Sequence, residues 1–330
     1  MPKVSVIIPC RNESKYIEQC LESILQNDFD HSNMEVLVVD GMSEDRTREI
    51  VKEYIEKYSI IHLFDNPLKI TPVALNIGIK NSNGEIIIRA DAHAEYPLDY
   101  ISKLIFYLEK LDADNVGGQW ITLPSRDSLI ANAVAVGMTS MFGVGNAWFR
   151  IDSRKIREVD TVPYGCFRRI LFDRIGLFDE RLVRNQDDEF NARIKKNGGK
   201  IFLIPDVKIK YFARGTLHEL WKLFFQYGLY KPLVNRIIGF PITLRQFVPF
   251  FFVLFLIFLC ILSLIIPAMW ILLTLYIIVY IAVNISLSTL IAILRGKLKL
   301  LLWLPIVFLV IHFSYGTGYL AGIGKVLWFR

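Results

Sequence analysis

Apolar and polar residues follow two alternating patterns along the first two thirds of the chain. Short runs rich in Val and Ile, typical of strands buried on both faces, alternate with segments whose apolar residues recur at helical spacing. The predicted strands are Val4–Ile8, Met34–Val39, Ile60–Phe64, Glu85–Ala90, Asn115–Leu123 and Lys200–Ile204. The predicted helices are Glu13–Gln26, Arg46–Tyr58, Pro72–Asn81, Leu98–Leu111 and Gln186–Asn197, and Phe172–Asp179 has a helical or near-helical pattern. The alternation predicts an α/β fold, with a parallel sheet covered by helices on both faces.

The last third of the chain is almost continuously apolar. Its three apolar stretches, each about the length that crosses a bilayer core as a helix, are Phe247–Ile266, Ala268–Leu294 and Leu300–Ile323. An amphipathic helix with a wide aromatic face is predicted before them at Leu217–Leu233, whereas residues 125–165, which are rich in Gly, Ala, Met and Trp, are left unassigned. The sequence therefore predicts an α/β domain over 1–240 that ends with an interfacial helix, followed by a membrane domain of about three transmembrane helices over 247–323.

Basic residues set the predicted orientation of these helices. Arg295, Lys297 and Lys299 follow the second apolar stretch, and the segment before the first stretch is also basic. By the positive-inside rule both segments face the cytoplasm, which puts the α/β domain inside and the C-terminus outside. Lys325 and Arg330 weigh against an outside C-terminus, so a third stretch that re-enters the membrane stays open as an alternative.

Composition narrows the partners and the compartment. The net charge is +6 and the pI is near 9.0, which suits either nucleic acid or an anionic membrane. The basic residues before the first apolar stretch are interleaved with aromatic residues and adjoin that stretch, which favours membrane lipid and no nucleic acid. The four cysteines show neither metal-binding spacing nor a paired framework, and no signal peptide precedes the first strand. We therefore expect a multi-pass protein of the cell (inner) membrane with a cytoplasmic α/β domain.

Polar residues follow the first two predicted strands. The segment Pro9-Cys10-Arg11-Asn12-Glu13 closes the first strand, and Asp40 closes the second. Because the carboxyl ends of parallel strands lie at one edge of the sheet, where ligands bind in open α/β folds, these residues would face a ligand there. Asp40 could accept hydrogen bonds from a ribose or a base. Helix capping and turn formation explain the same residues about equally well.

The triplet Asp91-Ala92-His93 comes directly after the fourth predicted strand. A carboxylate and an imidazole at positions i and i+2 can contact one cation together, and a divalent cation would neutralise charge that develops on a departing diphosphate. The mixed ligand pair suits Mn²⁺ better than a pair of carboxylates would, although Mg²⁺ stays open. A surface turn is the alternative interpretation.

A dense acidic cluster, Gln186-Asp187-Asp188-Glu189, begins a predicted helix. Carboxylates at a helix N-terminus are favoured by the helix dipole, so capping explains them without any function. The functional alternative is that one of them is the general base that deprotonates an acceptor hydroxyl.

Together these segments resemble family 2 glycosyltransferases, over roughly Val4 to Arg236. Val4–Glu13 resembles the opening strand and loop of the family, and Val38–Thr47 resembles its nucleoside-binding segment. The segments Asn66-Pro67, Ala74–Gly78, Gly165–Arg169, Gly176–Glu180 and Gln186–Arg193 are similar to its donor loop, donor helix, acceptor-side segments and base motif. The Asp-Ala-His triplet and the membrane tail look most like the bacterial exopolysaccharide transferases of the succinoglycan-biosynthesis type.

The resemblance implies the GT-A fold, with a mixed, mainly parallel sheet, and an inverting hexosyltransferase. It implies a nucleotide-diphosphate sugar donor, with UDP as the first choice, and a glycan or lipid-linked acceptor in polysaccharide biosynthesis. The donor would be held by Pro9, Arg11, Asn12, Glu13, Asp40, Asn76 and Asp91, and the divalent cation by Asp91 and His93. Asp187 falls at the base position, with Asp188 as the second choice.

Two residues depart from the family pattern: Gly41 replaces an acidic residue of the nucleoside segment, and His93 replaces the second Asp of the metal motif. The Gln-rich Trp motif of processive members is also absent, which favours the addition of a single sugar.

Two other functions stay open at this point. The same fold transfers sugars to polyprenyl phosphates, whose acceptor oxygen is already ionised and needs no base. A non-catalytic membrane scaffold could also retain the fold. A nucleotidyltransferase is disfavoured, since the loop after the first strand, residues 9–14, contains no glycine.

Overall fold

The computed structural model describes residues 3–151 and 153–328. By its internal packing the chain divides into two units. The sheet unit comprises the chain up to Ile121 together with Trp148–Tyr211, and the helical unit comprises Thr122–Ala147 together with the chain from Phe212 onward. The sequence-based domain boundary at residue 240 differs from this division, because it counts Thr122–Ala147 and the helix that follows Phe212 with the α/β domain.

The elements follow one another in the order expected for an α/β chain with a helical end. Up to the first excursion into the helical unit they are β1 (Val4–Cys10), α1 (Ile17–Leu25), β2 (Met34–Asp40), α2 (Thr47–Lys57), β3 (Ile61–Asp65), α3 (Thr71–Asn81), β4 (Ile86–Arg89), β5 (Ala94–Glu95), α4 (Tyr100–Lys110) and β6 (Asn115–Pro124). Next come α5 (Leu129–Gly137), α6 (Met141–Val144), β7 (Arg157–Glu158), β8 (Cys166–Arg168), α7 (Ile170–Ile175), α8 (Gln186–Lys196) and β9 (Ile201–Ala213). The chain then continues with α9 (Leu217–Ile238), α10 (Phe247–Ile265), α11 (Met269–Leu294) and α12 (Leu304–Trp328).

Within the described residues, nine strands form one mixed sheet. Its order is β3-β2-β1-β4-β8-β6-β9-β5, and β7 pairs with β9. The first four strands are parallel, which confirms the prediction from their apolar runs. The other half is antiparallel where β8 pairs with β4 and β6, and where β5 and β7 pair with β9. The three-residue strand β8 was not predicted, because so short a run carries no period of its own.

Apolar side chains on both faces of the parallel strands hold this unit together. Nearly every residue of β1 and β2 is buried, so both faces of these strands are covered. On one face α3 packs so closely that a Cβ at Gly78 would lie 2.4 Å from Cγ2 of Ile7. The core beneath α8 is aromatic, with the Phe190 ring 4.5 Å from that of Phe178 and 5.2 Å from that of Phe172. This packing fixes the position of the acidic N-terminus of α8.

Several predicted elements differ in extent from those observed: α1 begins at Ile17 and not at Glu13, and α9 continues past Leu233 to Ile238. The helix predicted at Phe172–Asp179 ends at Ile175, because Gly176 takes a left-handed conformation with φ +82° and stops it. The strand predicted at Lys200–Ile204 continues to Ala213. Its second half alternates between buried and exposed residues, which is typical of a strand with one solvated face.

Long helices make up most of the helical unit. A capping box between Thr216 and Glu219 begins α9. Among the described residues, three helices are long and apolar enough to cross a membrane by length and composition: Leu244–Ile265, Met269–Leu294 and Leu304–Leu327. These agree closely with the three apolar stretches predicted from the sequence.

Candidate active site

The candidate active site lies at the edge of the sheet where β1, β2 and β4 end. These strands are neighbours and run parallel, so their carboxyl ends meet at one edge. The Gly41 N–H donates to the carbonyl of Cys10 at 2.8 Å, which continues the pairing of β1 with β2 into the loops. The polar segments that follow these three strands are thereby brought together.

Hydrogen bonds connect the loops after β1 and β2. Asn12 takes a left-handed conformation with φ +55°, which Asn tolerates better than most residues. Its N–H donates to Ser43 Oγ at 2.8 Å, and its Oδ1 accepts from the Glu44 N–H at 2.9 Å. The Glu13 N–H donates to Thr47 Oγ1 at 2.8 Å. The two loops therefore form one connected wall, called here the loop wall.

Arg11 lies exposed on the loop wall, and Pro9 is half-buried beneath it. The aliphatic part of Arg11 covers Gly41, where an added Cβ would sit 3.2 Å from the Cβ of Arg11. The missing side chain at Gly41 thus lets Arg11 lie close against the loop. Its exposed guanidinium can attract an anionic ligand to this edge.

Asp40 lies beneath the loop wall and is fully buried. Its carboxylate accepts from Arg48 Nη1 at 2.7 Å and from the Ser43 N–H at 2.9 Å. Arg48 also reaches Asp65 at the end of β3, at 2.8 Å. Asp40 therefore ties the ends of β2 and β3 to α2, as a buried carboxylate must be paired. The predicted contact between its carboxylate and a nucleoside stays a prediction.

A buried arginine connects the metal motif to the acidic cluster. Arg89, the last residue of β4, donates to Asp91 Oδ1 from Nη2 at 2.8 Å and from Nε at 3.2 Å. Its Nη1 donates to Oδ1 of Asp187, which lies in the first turn of α8 and 98 positions away in the chain. The side chains of Asp91 and Asp187 are 17% and 33% exposed, against 7% for Arg89. One guanidinium thus holds two carboxylates that still face solvent.

The surroundings of Asp187 suit it to accept a proton. Burial raises the pKa of Asp187 above its ordinary value, and Asp91 and Asp188 add to the rise, while Arg89 opposes it. Burial lowers the pKa of Arg89, but the carboxylates of Asp187 and Asp91 outweigh burial and raise it overall. Arg89 is therefore charged throughout the physiological range. A carboxylate whose pKa lies above its ordinary value matches the requirement for a general base near neutral pH.

Among the described residues, the side chains of the predicted metal ligands Asp91 and His93 each have a polar contact on one side only. The Nδ1 atom of His93 lies 3.2 Å from Glu13 Oε1, an arrangement in which Nε2 would be the nitrogen that coordinates a cation. Both hydrogen bonds from Arg89 reach Oδ1 of Asp91, so Arg89 does not occupy Oδ2.

No group of three His, Cys, Asp or Glu residues that could hold a metal occurs in residues 3–151 and 153–328. A cation here would therefore be held by two protein ligands, with phosphate oxygens and water completing its shell. Mg²⁺ is commonly bound in this way at phosphate sites.

Asn76 and Asp188 are the two remaining residues of the predicted site. Asp188 follows Asp187 in α8 and is half-buried. The Asn76 side chain bonds to the backbone of Phe178 through both ends, with Nδ2 donating to its carbonyl at 2.9 Å and Oδ1 accepting from its N–H at 3.0 Å. Asn76 therefore supports the segment after α7, and its predicted contact with the donor stays a prediction.

A second ion pair, whose carboxylate is buried, fixes the same segment from α8. Glu189 Oε1 accepts from Arg193 Nε at 2.6 Å, and Oε2 accepts from Nη2 at 2.9 Å. The remaining donors of Arg193 reach the carbonyls of Ile175 and Leu177 at 2.6 and 2.7 Å. Glu189, the last residue of the acidic cluster, thus has a supporting contact of its own.

An aromatic group lies between His93 and Arg89. The rings of Trp120 and Tyr211 stack with centroids 4.0 Å apart, and the Tyr211 ring is 6.1 Å from that of His93. On the other side the Trp120 ring is 5.4 Å from that of Tyr164, and the Arg89 guanidinium is 5.7 Å from the Tyr164 ring. All three aromatic residues are buried, so they support the two motifs from within the sheet unit.

Sequence reasoning missed Arg89 and this aromatic group. A signal for Arg89 was present, because a charged residue at the end of the otherwise apolar strand Ile86–Arg89 must find a partner when it is buried. Its partner Asp187 could not be read from the strand. The aromatic residues come from three separate segments, so no local spacing links them.

Comparisons with known proteins identify the family. The model for "Glycosyl transferase family 2" matches residues 5–170. The chain is 30% identical to dolichyl N-acetyl-alpha-D-glucosaminyl phosphate 3-beta-D-2,3-diacetamido-2,3-dideoxy-beta-D-glucuronosyltransferase of Methanococcus voltae, over 98% of this chain and 97% of that protein. It is 29% identical to the succinoglycan biosynthesis protein ExoA of Rhizobium meliloti, over 68% of this chain and 67% of that protein. The predicted resemblance to succinoglycan-type transferases is thereby confirmed.

A solved structure supports the fold. The mannosyltransferase PcManGT from Pyrobaculum calidifontis, in complex with GDP-Man and Mn²⁺, superposes with a TM-score of 0.62 at 20% identity, over 100% of this chain and 88% of that one. At this identity the likeness bears on the fold alone, and it confirms the predicted GT-A architecture. The family model covers half of the chain, and the Methanococcus voltae relative aligns over nearly all of it. The chain therefore belongs to glycosyl transferase family 2 and is a glycosyltransferase.

Proposed function

We propose that this protein is an inverting glycosyltransferase that moves one sugar from a nucleotide-diphosphate donor to a hydroxyl of a lipid-linked or cell-surface glycan. The observation that carries the proposal is the contact of Arg89 with both Asp91 and Asp187. One guanidinium thereby holds Asp91, whose carboxylate suits a metal and a diphosphate, beside Asp187, whose carboxylate suits a base. An in-line displacement needs these two functions on opposite sides of the same anomeric carbon.

The donor would bind along the loop wall and the triplet. Arg11, Asn12 and Glu13 line the wall, with Pro9 and Asp40 supporting it from below. A divalent cation held by Asp91 and His93 would neutralise charge on the departing diphosphate. Glu13 would orient His93 for that role, since its carboxylate already lies beside Nδ1. UDP-linked sugars are the first choice of donor, on family resemblance.

The acceptor hydroxyl would lose its proton to Asp187. The raised pKa of this carboxylate supports the assignment, and so does its exposure beside Asp91. Asp188 is the second choice, because it is the next residue of the same helix. The name of the Methanococcus voltae relative gives a dolichyl-phosphate-linked amino sugar as its acceptor, which supports a lipid-linked acceptor for this chain.

The cell (inner) membrane is the proposed location. The length and composition of the last helices support membrane insertion, and the basic residues Arg295, Lys297 and Lys299 support a cytoplasmic catalytic domain.

The decisive experiment measures release of the nucleoside diphosphate by full-length protein in membranes. UDP- and GDP-linked sugars are screened with Mn²⁺ or Mg²⁺ against two acceptors, a polyprenyl-phosphate-linked N-acetylglucosamine and free polyprenyl phosphate. We expect transfer to the sugar hydroxyl, with inverted anomeric configuration in the product by NMR. Retained configuration would refute the proposed mechanism.

Two variants distinguish the acceptor classes. Asp187→Asn should slow transfer to the hydroxyl by about 10²–10⁴-fold. The matched control is Asp173→Asn, which changes an exposed carboxylate on α7. Transfer to free polyprenyl phosphate that survives in Asp187→Asn would instead identify a polyprenyl-phosphate transferase. Absence of nucleotide binding and turnover with every donor would favour a scaffold.

A further inference from the structure

The helices α10 and α11 form an antiparallel hairpin. The Phe252 ring stacks on that of Tyr280 at 4.4 Å, and the Phe255 ring meets that of Tyr276 at 5.2 Å. As α10 advances, its partner on α11 moves backward, as it must in a hairpin. The connection Ile266-Pro267-Ala268 carries no charge. This connection is called here the tip, and the opposite end, near Phe247 and Leu294, is called the base.

The contacts of α12 lie between the middle of this hairpin and its base. Its first half meets α11, where Asn284 Nδ2 donates to the Pro305 carbonyl at 3.0 Å and Tyr280 Oη lies 3.0 Å from His312 Nδ1. Its second half meets the start of α10, where the Tyr319 ring lies 4.8 Å from that of Phe250.

On either side of His312, the residues of α12 contact positions closer to the base of the hairpin: Pro305 contacts Asn284, and Tyr319 contacts Phe250. If α12 ran alongside the hairpin, its contacts on one side of His312 would instead move closer to the tip. The tip instead stays exposed, with Leu264 at 80% and Ile271 at 73%, while Val253 near the base is 2% exposed. The contact pattern is therefore that of a helix lying across the hairpin.

The second half of α12 runs alongside α9. A Cβ at Gly318 would lie 2.2 Å from the Phe225 carbonyl, and one at Gly228 would lie 2.1 Å from the Tyr315 carbonyl, so the two backbones touch. Farther along, Arg236 donates to the Val326 carbonyl at 2.8 Å. Both helices advance together, so they run parallel. The neighbour α9 carries several charged residues and is not among the helices apolar enough to span.

The first half of α12 lies against α5 and α6. A Cβ at Gly137 would lie 2.5 Å from Cγ1 of Val307, and His312 Nε2 lies 2.7 Å from the Phe142 carbonyl. The segment α5–α6 also packs with α9 within the helical unit. Both halves of α12 therefore contact elements of one group, α5, α6 and α9. A 25-residue helix is about 37 Å long, so a spanning orientation would carry one half away from that group.

The distribution of charge supports the same placement. Basic residues stand at the base of the hairpin and along α9 and α12: Arg236, Arg245, Arg295, Lys297, Lys299 and Lys325. A spanning α12 would carry Lys325 to the opposite side of the membrane, against the positive-inside rule. Arg330, which in the sequence also argues against an outside C-terminus, lies outside the described residues. The outward residues of α12, including Ile306, Leu309 and Leu327, are apolar and exposed, as in helices that lie in the bilayer interface.

We propose that α10 and α11 cross the membrane as a hairpin and that α12 lies in the lipid interface on the side of its base. The exposed apolar face of α12 contacts the acyl chains at the boundary with the headgroups, and the basic residues beside it face anionic headgroups. The end of α12 is then on the same side of the membrane as α9 and the loop at Lys297.

Cysteine accessibility in intact cells tests the proposal. Cys260 is replaced by Ser, and one cysteine is introduced by Ala268→Cys at the tip, Lys297→Cys at the base or Lys325→Cys on α12, all exposed positions. Cells are treated with a membrane-impermeant maleimide before and after permeabilisation. We expect Lys325→Cys and Lys297→Cys to give the same result, either both labelled in intact cells or both labelled only after permeabilisation. Ala268→Cys should give the other result. Labelling of Lys325→Cys together with Ala268→Cys would overturn the proposal.

A fusion covers the case in which lipid shields Lys325→Cys. Alkaline phosphatase or green fluorescent protein is joined after residue 330 or inserted at residue 297. The same reporter should be active at both sites. Activity of one reporter at residue 297 and of the other after residue 330 would overturn the proposal. Neither experiment depends on turnover, so failure of the proposed function would leave this result unaffected.

Discussion

Two arginines of the sheet unit bind carboxylates of the acidic cluster, but their surroundings differ. Arg193 binds Glu189 through two hydrogen bonds and gives its other donors to backbone carbonyls. Arg89 divides its donors between Asp91 and Asp187, two carboxylates on separate segments. Glu189 is 1% exposed, whereas Asp187 is 33% exposed.

This difference separates a supporting contact from a reactive one. A closed pair such as Glu189 with Arg193 has no free valence for a substrate, and breaking it leaves a charge buried. The carboxylates held by Arg89 keep an exposed side, and burial raises the pKa of Asp187, so they can act on a ligand. Neighbouring residues of one helix thus serve stability and chemistry separately.

The largest effect is expected from Asp187→Asn. Loss of a general base typically costs about 10²–10⁴-fold in rate, and Asn retains the shape and one acceptor for Arg89. We expect this loss in the rate of nucleoside diphosphate release with a hydroxyl acceptor, and little change in thermal unfolding. A comparable rate in the variant and in Asp173→Asn would remove Asp187 as the base and direct attention to Asp188.

The reverse outcome is expected from Glu189→Gln. This change leaves the guanidinium of Arg193 without its anion, and breaking a buried pair costs about 3–5 kcal/mol. The loss should lie at the lower end, since Arg193 is 19% exposed and keeps two carbonyl partners. Denaturant unfolding of the detergent-solubilised protein measures it. If the folded variant were stable but inactive, Glu189 would belong to the chemistry and the comparison would fail.

Arg89→Gln should combine both effects. Rate falls by about 10–100-fold, as is typical for loss of a residue that orients a metal ligand. Because Arg89 opposes the rise in the pKa of Asp187, its removal raises that pKa further. The base works ionised, so the acidic limb of the pH–rate profile should move to higher pH. Arg89→Lys, which keeps the charge, should move the limb less, and an unmoved limb in both would disconnect Arg89 from the base.

The smallest effect is expected from Glu13→Gln. Gln keeps a hydrogen bond to His93 but loses the charge, so the Mn²⁺ concentration for half-maximal activity should rise by about tenfold. His93→Ala should raise it more, and Glu18→Gln, an exposed residue of α1, is the control. We also expect Mn²⁺ to support activity at least as well as Mg²⁺. Unchanged metal dependence in His93→Ala would show that the triplet is a turn and that the metal lies elsewhere.

Much of the fold followed from local patterns. The parallel strands β1 to β4 and the helices between them were predicted within a few residues, because each carries its own apolar period. The antiparallel strand β8 was missed, since its three residues become a strand only between β4 and β6. The segment 125–165 was unassigned for the same reason: α5 and α6 are stabilised by packing within the helical unit.

The candidate site was predicted in its parts and not in its assembly. Asp91 and His93 were located by their place after an apolar strand, and Asp187 by its helix start. The contact through Arg89 was not predicted, because 98 positions separate its two partners. Asn76 shows the converse limit: its motif indicated a donor contact, while its side chain bonds to Phe178.

The sequence by itself determined the alternating elements, the apolar helices and the residues that follow each strand, because these depend on neighbours within a few positions. The tertiary structure alone decided which carboxylates share an arginine and which close on one. It also decided where α12 lies against its hairpin. These outcomes depend on contacts between distant segments, which packing of the core and not local periodicity brings together.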